Sequence, residues 1–216
     1  MNKNIVVVTG TDTDVGKTVV CAGLMRSIPD ALYWKPIQAG IEPITDTELV
    51  KALSDLPPER FLPELYKLKM AASPHLAARE EGITINPSML RLPDNSAPLI
   101  VEGAGGVMVP LNEDYLALDL FAQWSAPVIL IARTGLGTIN HSLLSIAALR
   151  SREVPIAGII FSGEAHEENE RIIPQLSGVR SLGRLPRLDK LDPAGLHLAI
   201  QAHLDMPAIE ALLRGG

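Results

Sequence analysis

The chain has 216 residues, of which 47% are hydrophobic and 20% are charged. This composition excludes wholesale disorder, and the length predicts one domain spanning residues 1–216. The net charge of −6 disfavours nucleic acid as a partner, since nonspecific nucleic-acid binders are usually basic. Cys21 is the only cysteine, which excludes an internal disulfide and a cysteine-cluster metal site. No apolar run is long enough for a signal peptide or a membrane span, so we expect a cytoplasmic protein with no membrane partner.

Short apolar runs alternate with helical stretches along the chain. In order, the predicted elements are a strand at Ile5–Val8, a helix at Lys17–Ser27, a weaker strand at Ala31–Lys35, helices at Thr45–Ser54 and Ser73–Glu81, a strand at Leu99–Val101, a helix at Tyr115–Trp124, a strand at Val128–Ala132, a helix at Thr138–Arg152, a strand at Ile156–Phe161, a helix at Glu167–Leu176, a weaker strand at Arg180–Leu182 and a helix at Pro193–Leu213 that breaks near Pro207. This alternation, with continuously apolar strands, predicts a doubly wound, mostly parallel α/β sheet flanked by helices on both faces. Ligands bind beyond the carboxyl ends of such strands.

The turn after the first strand, residues 9–18, reads Thr-Gly-Thr-Asp-Thr-Asp-Val-Gly-Lys-Thr. A strand before it and a helix after it are the context of a phosphate-binding P-loop. Gly16 allows close backbone approach, and the amides at the helix start favour an anion. Lys17 would reach the β- and γ-phosphates, and the Thr18 hydroxyl would bind Mg²⁺. Thr11 stands where the P-loop pattern has its first glycine, so an ordinary strand-turn-helix is the alternative.

Three further charged side chains lie at the ends of predicted elements. Glu102 follows the run Leu-Ile-Val and is suited to bind Mg²⁺, the alternative being a plain strand-end glutamate. Asp46, at a predicted helix start, is either a further metal-shell carboxylate or a cap of that helix. Lys35, at the end of a predicted strand, either neutralises a transferring phosphoryl group or is a solvated lysine. Between Glu42 and Leu68 we recognise no motif.

Together these pieces resemble the dethiobiotin synthetase family of P-loop enzymes. The resemblance rests on motifs in the family's order over most of the chain: residues 10–18, Lys35-Pro36 with Gly40, Ser73-Pro74-His75, Val101–Gly106, Leu136–His141 and Leu182-Gly183 with Pro186. The family closes the ureido ring of dethiobiotin from 7,8-diaminononanoate and CO₂, through a carbamate and a carbamic-phosphoric anhydride, and releases ADP and phosphate. The resemblance therefore implies biotin biosynthesis, ATP and Mg²⁺ as cofactors, and a homodimer with substrate at the subunit interface.

The resemblance also implies roles for individual residues. Lys35 and Lys17 would be catalytic, and the metal would be bound by Thr18, Asp46 and Glu102. The nucleotide would contact Thr13, Asp14, Val15, Gly16, Lys17, Thr18, Val19, Asp46, Glu102, Gly103, Ala104, Gly105, Ser162, Gly163, Leu185, Pro186 and Arg187. The substrate would contact Lys35, Ala39, Gly106 and, from the neighbouring subunit, Gly137, Thr138, Ile139 and Asn140.

The chain departs from the family's pattern at three positions. Asp14 stands where family members often have the longer glutamate. Ala39 replaces a hydroxyl residue that commonly contacts substrate, so one hydrogen bond of about 1 kcal/mol is either missing or supplied by Gln38 or water. Ser162 replaces an asparagine that often binds the adenine base, and serine lacks the two-point pattern of an amide. We therefore expect relaxed base selectivity.

Two other functions compete with the ligase. A switch ATPase of the deviant Walker class, acting through partner binding, would carry its signature lysine where this chain has the oppositely charged Asp12. An amidotransferase acting on corrin acids would carry an added glutaminase domain with a catalytic cysteine, for which a 216-residue chain with Cys21 alone has neither room nor nucleophile. The residues therefore favour the ligase.

Overall fold

The computed structural model describes residues 4–94 and 96–214. Its strands are β1 (Ile5–Gly10), β2 (Leu32–Trp34), β3 (Ile37–Ala39), β4 (Phe61–Leu62), β5 (Tyr66–Leu68), β6 (Leu99–Gly106), β7 (Val128–Arg133), β8 (Ile156–Ser162) and β9 (Ser181–Leu185). Its α-helices are α1 (Lys17–Ser27), α2 (Asp46–Ser54), α3 (Pro74–Glu80), α4 (Ala117–Trp124), α5 (Thr138–Ser151), α6 (Glu167–Ser177), α7 (Pro193–His203) and α8 (Met206–Arg214). Single turns of 3₁₀-helix lie at Pro58–Arg60 and Pro87–Met89.

β1 lies at the centre of a seven-stranded sheet whose order is β4-β2-β6-β1-β7-β8-β9. Every pairing within this sheet is parallel, and β3 and β5 form a separate parallel pair. The chain winds outward through β2 and β4 on one side of β1 and through β7, β8 and β9 on the other. The strand order therefore reverses around β1, which is where ligands bind in sheets of this kind. The predicted doubly wound α/β class is confirmed.

The sheet is covered on both faces, which explains its continuously apolar strands. In β1, Val6 and Val8 belong to one core cluster while Ile5 and Val7 belong to the other. Helices α1, α2, α7 and α8 pack on the first face, and helices α3, α4, α5 and α6 pack on the second. Because successive strand residues point to opposite faces, a strand buried on both sides has no polar positions to alternate with.

Most predicted elements are confirmed with small shifts at their ends. α1 has the predicted bounds, and β6 continues beyond the predicted strand through the glycine-rich stretch to Gly106. The predicted second strand ends at Lys35, whereas β2 of the structure ends at Trp34 and Lys35 is the next residue. The predicted C-terminal helix is two helices, with Pro207 in the first turn of α8, where a missing amide hydrogen costs nothing. The short strands β3, β4 and β5 are not predicted from the sequence.

In the described part of the chain, no helix combines the length and the apolar character that crossing a membrane requires.

Candidate functional site

The loop between β1 and α1 turns back sharply to present backbone to the carboxyl edge of the sheet. Gly16 has φ 98° and ψ 16°, a left-handed conformation that favours glycine. A Cβ atom on Gly10 would lie 2.6 Å from Val15 Cγ2 and 2.9 Å from the Asp12 carbonyl oxygen. The position at which this end of the loop packs too closely for a side chain is thus Gly10, one residue before Thr11, where the P-loop pattern has its first glycine. The buried Lys17 side chain folds over the loop, and its Nζ donates to the Asp12 carbonyl at 3.0 Å.

Four side chains meet beside the carboxyl ends of β1 and β2, where the middle of β6 contributes Glu102: they are Thr18, Lys35, Asp46 and Glu102. The Thr18 hydroxyl donates to Glu102 Oε1 at 2.9 Å and lies 3.3 Å from Asp46 Oδ1. Lys35 Nζ lies 2.7 Å from Asp46 Oδ2 and 3.1 Å from Glu102 Oε1. The Lys35 side chain is 3% exposed and that of Glu102 is 0% exposed, whereas that of Asp46 is 34% exposed. The structure therefore joins residues that are far apart in sequence into one charged cluster.

Local structure places Asp46 in this cluster. Thr45 caps α2, and its hydroxyl accepts the Glu48 amide while the Glu48 carboxylate accepts the Thr45 amide, which is a complete capping box. The Asp46 amide donates to Gln38 Oε1 at 3.1 Å, which ties the helix start to β3. Asp46 is thus the first residue of α2, and the cap is Thr45. The Asp46 carboxylate is therefore not used for capping and faces Thr18 and Lys35.

The cluster contains one ammonium and two carboxylates, and the nearby Lys17 supplies the second positive charge. Burial alone disfavours an ammonium, but the charges of Glu102 and Asp46 and their hydrogen bonds raise the pKa of Lys35 above its ordinary value. Burial and the neighbouring charge of Lys35 instead lower the pKa of Lys17. Burial and the charge of Glu102 raise the pKa of Tyr33 well above its ordinary value, so its hydroxyl stays protonated.

The oxygen atoms of Thr18, Asp46 and Glu102 fit a hard cation such as Mg²⁺. Mg²⁺ is commonly held by one or two carboxylates together with phosphates and water rather than by a cage of protein ligands. Among the described residues no group of three or more His, Cys, Asp or Glu side chains is placed to hold a metal by itself. A hydroxyl with two carboxylates beside a phosphate loop is consistent with a cation that arrives with its nucleotide.

A cavity of about 800 Å³ opens over this cluster. It is lined by many of the predicted site residues: Thr13, Asp14, Gly16, Lys17, Thr18, Val19, Lys35, Ala39, Asp46, Glu102, Ala104 and Gly105. It is also lined by residues to which the sequence assigns no role: Gln38, Gly40, Glu42, Ile44, Leu49, Ala71, Ala72, Ser73, Pro74 and Val109. Gly40, Ser73 and Pro74 do fall within the family motifs, and membership of those motifs is the signal by which the sequence could have indicated their place in the site.

The remaining predicted site residues lie outside this lining. Val15 is buried, and the Gly103 carbonyl accepts from Lys35 Nζ at 3.4 Å. Gly106 lines a second cavity of about 320 Å³ together with Met108, His141 and Leu144.

The predicted base-binding residues lie at the ends of β8 and β9. A Cβ atom on Gly16 would lie 2.6 Å from Ser162 Oγ, so Ser162 borders the phosphate loop. The Gly163 amide donates to the Leu185 carbonyl at 3.0 Å, while the Leu185 side chain is buried in the core. Pro186 and Arg187 follow β9 directly. Leu185 therefore has only its backbone to offer a ligand.

The predicted substrate residues Gly137, Thr138, Ile139 and Asn140 form the start of α5. Gly137 caps the helix with φ 90°. The Thr138 hydroxyl is engaged within the chain, since it donates to the Arg133 carbonyl. None of these four residues lines the cavity over the charged cluster of the same chain.

A central parallel sheet, a glycine-rich phosphate loop opening a helix, and a lysine-carboxylate cluster beside it define a P-loop nucleotide-dependent enzyme. A family model described as an AAA domain matches residues 4–195. An ATP-dependent dethiobiotin synthetase BioD from Rhodopseudomonas palustris (strain BisB18) is 55% identical over 196 residues, which are 91% of this chain and 93% of that protein. The one from Brucella melitensis biotype 2 is 51% identical over 207 residues, 95% of this chain and 97% of that protein. The chain belongs to the ATP-dependent dethiobiotin synthetase family.

Solved structures of distant proteins share the fold. A ParA family ATPase from Chlorobium tepidum TLS has a TM-score of 0.55 at 10% identity, covering 98% of this chain and 95% of that one. Apo McdA from Cyanthece also has a TM-score of 0.55, at 11% identity, covering 98% of this chain and 97% of that one. At such low identity the likeness concerns the fold alone.

Proposed function

We propose that this chain closes the ureido ring of dethiobiotin from 7,8-diaminononanoate and CO₂, with consumption of ATP, as a step of biotin biosynthesis. One observation carries the proposal: Lys17, Thr18, Lys35, Asp46 and Glu102 share one cavity in a chain that is 51–55% identical to ATP-dependent dethiobiotin synthetases. Family membership supplies the reaction, and the cavity contains the groups that such a reaction requires.

Binding of ATP falls to the loop and its lysine. The backbone amides at the start of α1 and the Lys17 ammonium are suited to the phosphate chain. Thr18, Asp46 and Glu102 would hold Mg²⁺, which neutralises charge on the phosphate oxygens when it is bound. Ser162, at the edge of the loop, would contact the base. Repeating the assay below with CTP or GTP in place of ATP tests the expected relaxed selectivity.

The reaction proposed for the diamine has two bond-forming steps after CO₂ uptake. The N7 amine takes up CO₂ as a carbamate with loss of a proton, and a carbamate oxygen attacks the γ-phosphorus of ATP. The bond from the γ-phosphorus to its bridging oxygen breaks, and the electron pair leaves with ADP. The N8 amine attacks the carbonyl carbon of the mixed anhydride, phosphate departs, and N8 loses a proton as the ring closes. Because both amines belong to one substrate, holding it in place supplies much of the rate enhancement.

Lys35 provides the positive charge for the step in which two anions meet. Its ammonium is buried at the edge of the cavity, and the neighbouring carboxylates keep it protonated. A fixed cation in a site with little water stabilises developing negative charge far more than an exposed one does. We propose that Lys35 donates to the carbamate and to the transferring phosphoryl group.

We propose in addition that the enzyme is a homodimer in which the start of α5, Gly137–Asn140, receives the substrate carboxylate of the neighbouring subunit. The exposed side chains of Met108 and Leu144 support this, because apolar side chains around one cavity mark a contact surface, and Leu136, just before the start of α5, is exposed as well. Sedimentation velocity tests it with Leu144→Asp, which should yield monomers. Leu198→Asp, on the exposed side of α7, is the matched control and should leave the dimer intact. Because the reaction consumes ATP, we also propose a cytoplasmic location, which cell fractionation tests.

The decisive experiment incubates the protein with MgATP, bicarbonate and 7,8-diaminononanoate and detects dethiobiotin by mass spectrometry. Each component is omitted in turn, and Lys35→Ala is assayed in parallel. Product that requires every component, and that is lost with Lys35→Ala, supports the ligase. ATP hydrolysis that is indifferent to the diamine, with no dethiobiotin, would refute the ligase and favour a switch ATPase.

A further inference from the structure

The two carboxylate oxygens of Glu102 have different partners. Oε1 faces the cluster, where it accepts from the Thr18 hydroxyl at 2.9 Å and from Lys35 Nζ at 3.1 Å. Oε2 points away from these groups and accepts from the Tyr33 hydroxyl at 2.8 Å. Tyr33 and the Glu102 side chain are both fully buried. The orientation of a carboxylate that faces the phosphate loop is thus fixed from behind by one hydroxyl.

Strand register explains how Tyr33 reaches Glu102. β2 and β6 pair with Tyr33 opposite Ile100, and residues 100 and 102 lie on the same face of β6. Tyr33 and Glu102 are therefore diagonal neighbours, a separation that a tyrosine spans along the sheet. Phe61, paired with Tyr33 from the edge strand β4, packs against its ring at 6.1 Å in a T-shaped contact. The ring is held on one side by that contact, so the position of its hydroxyl is set by the sheet.

We propose that Tyr33 is a positioning residue for the metal site. By donating a hydrogen bond to Glu102 Oε2, it keeps Oε1 directed at the place beside Thr18 where the metal would bind. This inference rests on the metal role given to Glu102 in the proposed function. When one oxygen of a carboxylate is held by a hydrogen bond, the direction in which the other oxygen points is also fixed. Without the Tyr33 hydroxyl the buried Oε2 loses its hydroxyl donor, and rotation of the carboxylate towards Thr18 or Lys35 becomes a favourable way to satisfy it.

Tyr33→Phe removes the hydroxyl and keeps the ring that packs against Phe61. Loss of an outer hydrogen bond to a metal ligand typically weakens metal affinity about 10- to 100-fold. We expect a loss near the lower end, about tenfold, because Thr18 still binds Glu102 Oε1. The kcat measured at saturating Mg²⁺ should stay within about twofold of the original, since Tyr33 touches no reacting group, whereas the KM for Mg²⁺ should rise with the loss of affinity.

The test measures Mn²⁺ binding to the ADP complex by electron paramagnetic resonance of free Mn²⁺, a readout that needs neither diamine nor turnover. Tyr115→Phe is the matched control, because it also removes a tyrosine hydroxyl, one that donates to Gln123 at 2.8 Å on the surface. Unfolding by urea in EDTA, followed for all three proteins, reports the structural cost of each substitution separately.

Weaker Mn²⁺ binding by Tyr33→Phe alone, with kcat retained at saturating metal, supports the proposal. Unchanged Mn²⁺ affinity overturns it, and a lower free energy of unfolding in that case would assign Tyr33 a packing role only. A fall in kcat with unchanged affinity also overturns it. If the original protein binds no Mn²⁺ with ADP, the metal role of Glu102 fails together with this inference. The dethiobiotin assay then decides the proposed function separately.

Discussion

Replacing Lys35 by methionine removes the cation that lies between two carboxylates and keeps most of the side-chain volume. The Glu102 side chain is fully buried, so the substitution leaves a buried charge without its counter-ion. Breaking a buried ion pair by removing one partner typically costs about 3–5 kcal/mol. Thr18 and Tyr33 still donate to Glu102, and Asp46 is one-third exposed, so the cost belongs at the lower end, about 3 kcal/mol.

Urea denaturation in EDTA measures this loss as a change in the free energy of unfolding. Added Mg²⁺ should restore a large part of it in Lys35→Met, because a divalent cation can replace the missing charge on the same oxygens. Lys190→Met serves as the control, since Lys190 pairs with Asp192 on the surface and exposed pairs contribute little. An unfolding free energy for Lys35→Met in EDTA equal to that of the original protein would refute the argument that the buried carboxylate depends on this lysine. Equal stabilisation of both proteins by Mg²⁺ would refute the claim that the two cations share one place.

Other changes test the elements that build the site. Thr45→Ala removes the cap of α2 and should lower the free energy of unfolding by about 1 kcal/mol in urea denaturation, with weaker Mn²⁺ binding because Asp46 starts that helix. Hydrogen bonds from Thr45 lower the pKa of Glu48 below 4.5 in the folded protein. The ionised Glu48 carboxylate therefore contributes its full stabilisation above pH 4.5, and this stabilisation is lost as the pH falls through the lowered pKa of the folded state. Glu48→Gln should flatten the dependence of stability on pH in that acidic range, as measured by urea denaturation at a series of pH values. Gly16→Ala, at φ 98° and with a Cβ atom 2.6 Å from Ser162 Oγ, should abolish ADP binding in calorimetry.

The parts of the fold that the sequence predicts are those determined locally. β1, β7 and β8 are short apolar runs rich in β-branched residues, and α1 follows directly from the phosphate-loop turn, so each is visible in a short window. β4 has two residues and β5 has three, which is too short for any periodicity. These strands exist because a neighbouring strand is already in place to pair with them, and that information is not local.

The same distinction separates the site residues. Lys17 and Thr18 follow from the phosphate-loop pattern, and Glu102 follows from a charge after an apolar strand. For Lys35 the sequence leaves a solvated lysine open, and burial at 3% exposure excludes that alternative. Nothing in the sequence marks Tyr33 as a site residue, because a tyrosine in a strand normally indicates core packing. Its hydroxyl gains a meaning only from the register between β2 and β6, which brings it to Glu102.

The carboxylate pair also determines which ligands can bind together. Lys35 Nζ lies within 3.1 Å of both carboxylates, so a metal that binds the same oxygens competes with the ammonium for them. A buried ammonium needs a new counter-ion, because leaving it unpaired costs several kcal/mol. The phosphate chain of a nucleotide, held beside Lys17, supplies that counter-ion. We therefore expect Mn²⁺ to bind at least tenfold more tightly with a nonhydrolysable ATP analogue than without it, a coupling of about 1.4 kcal/mol. The coupling should shrink in Lys35→Met, where no ammonium has to be displaced. Equal coupling in both proteins would show that direct contact between metal and phosphate, and not release of Lys35, links the two ligands.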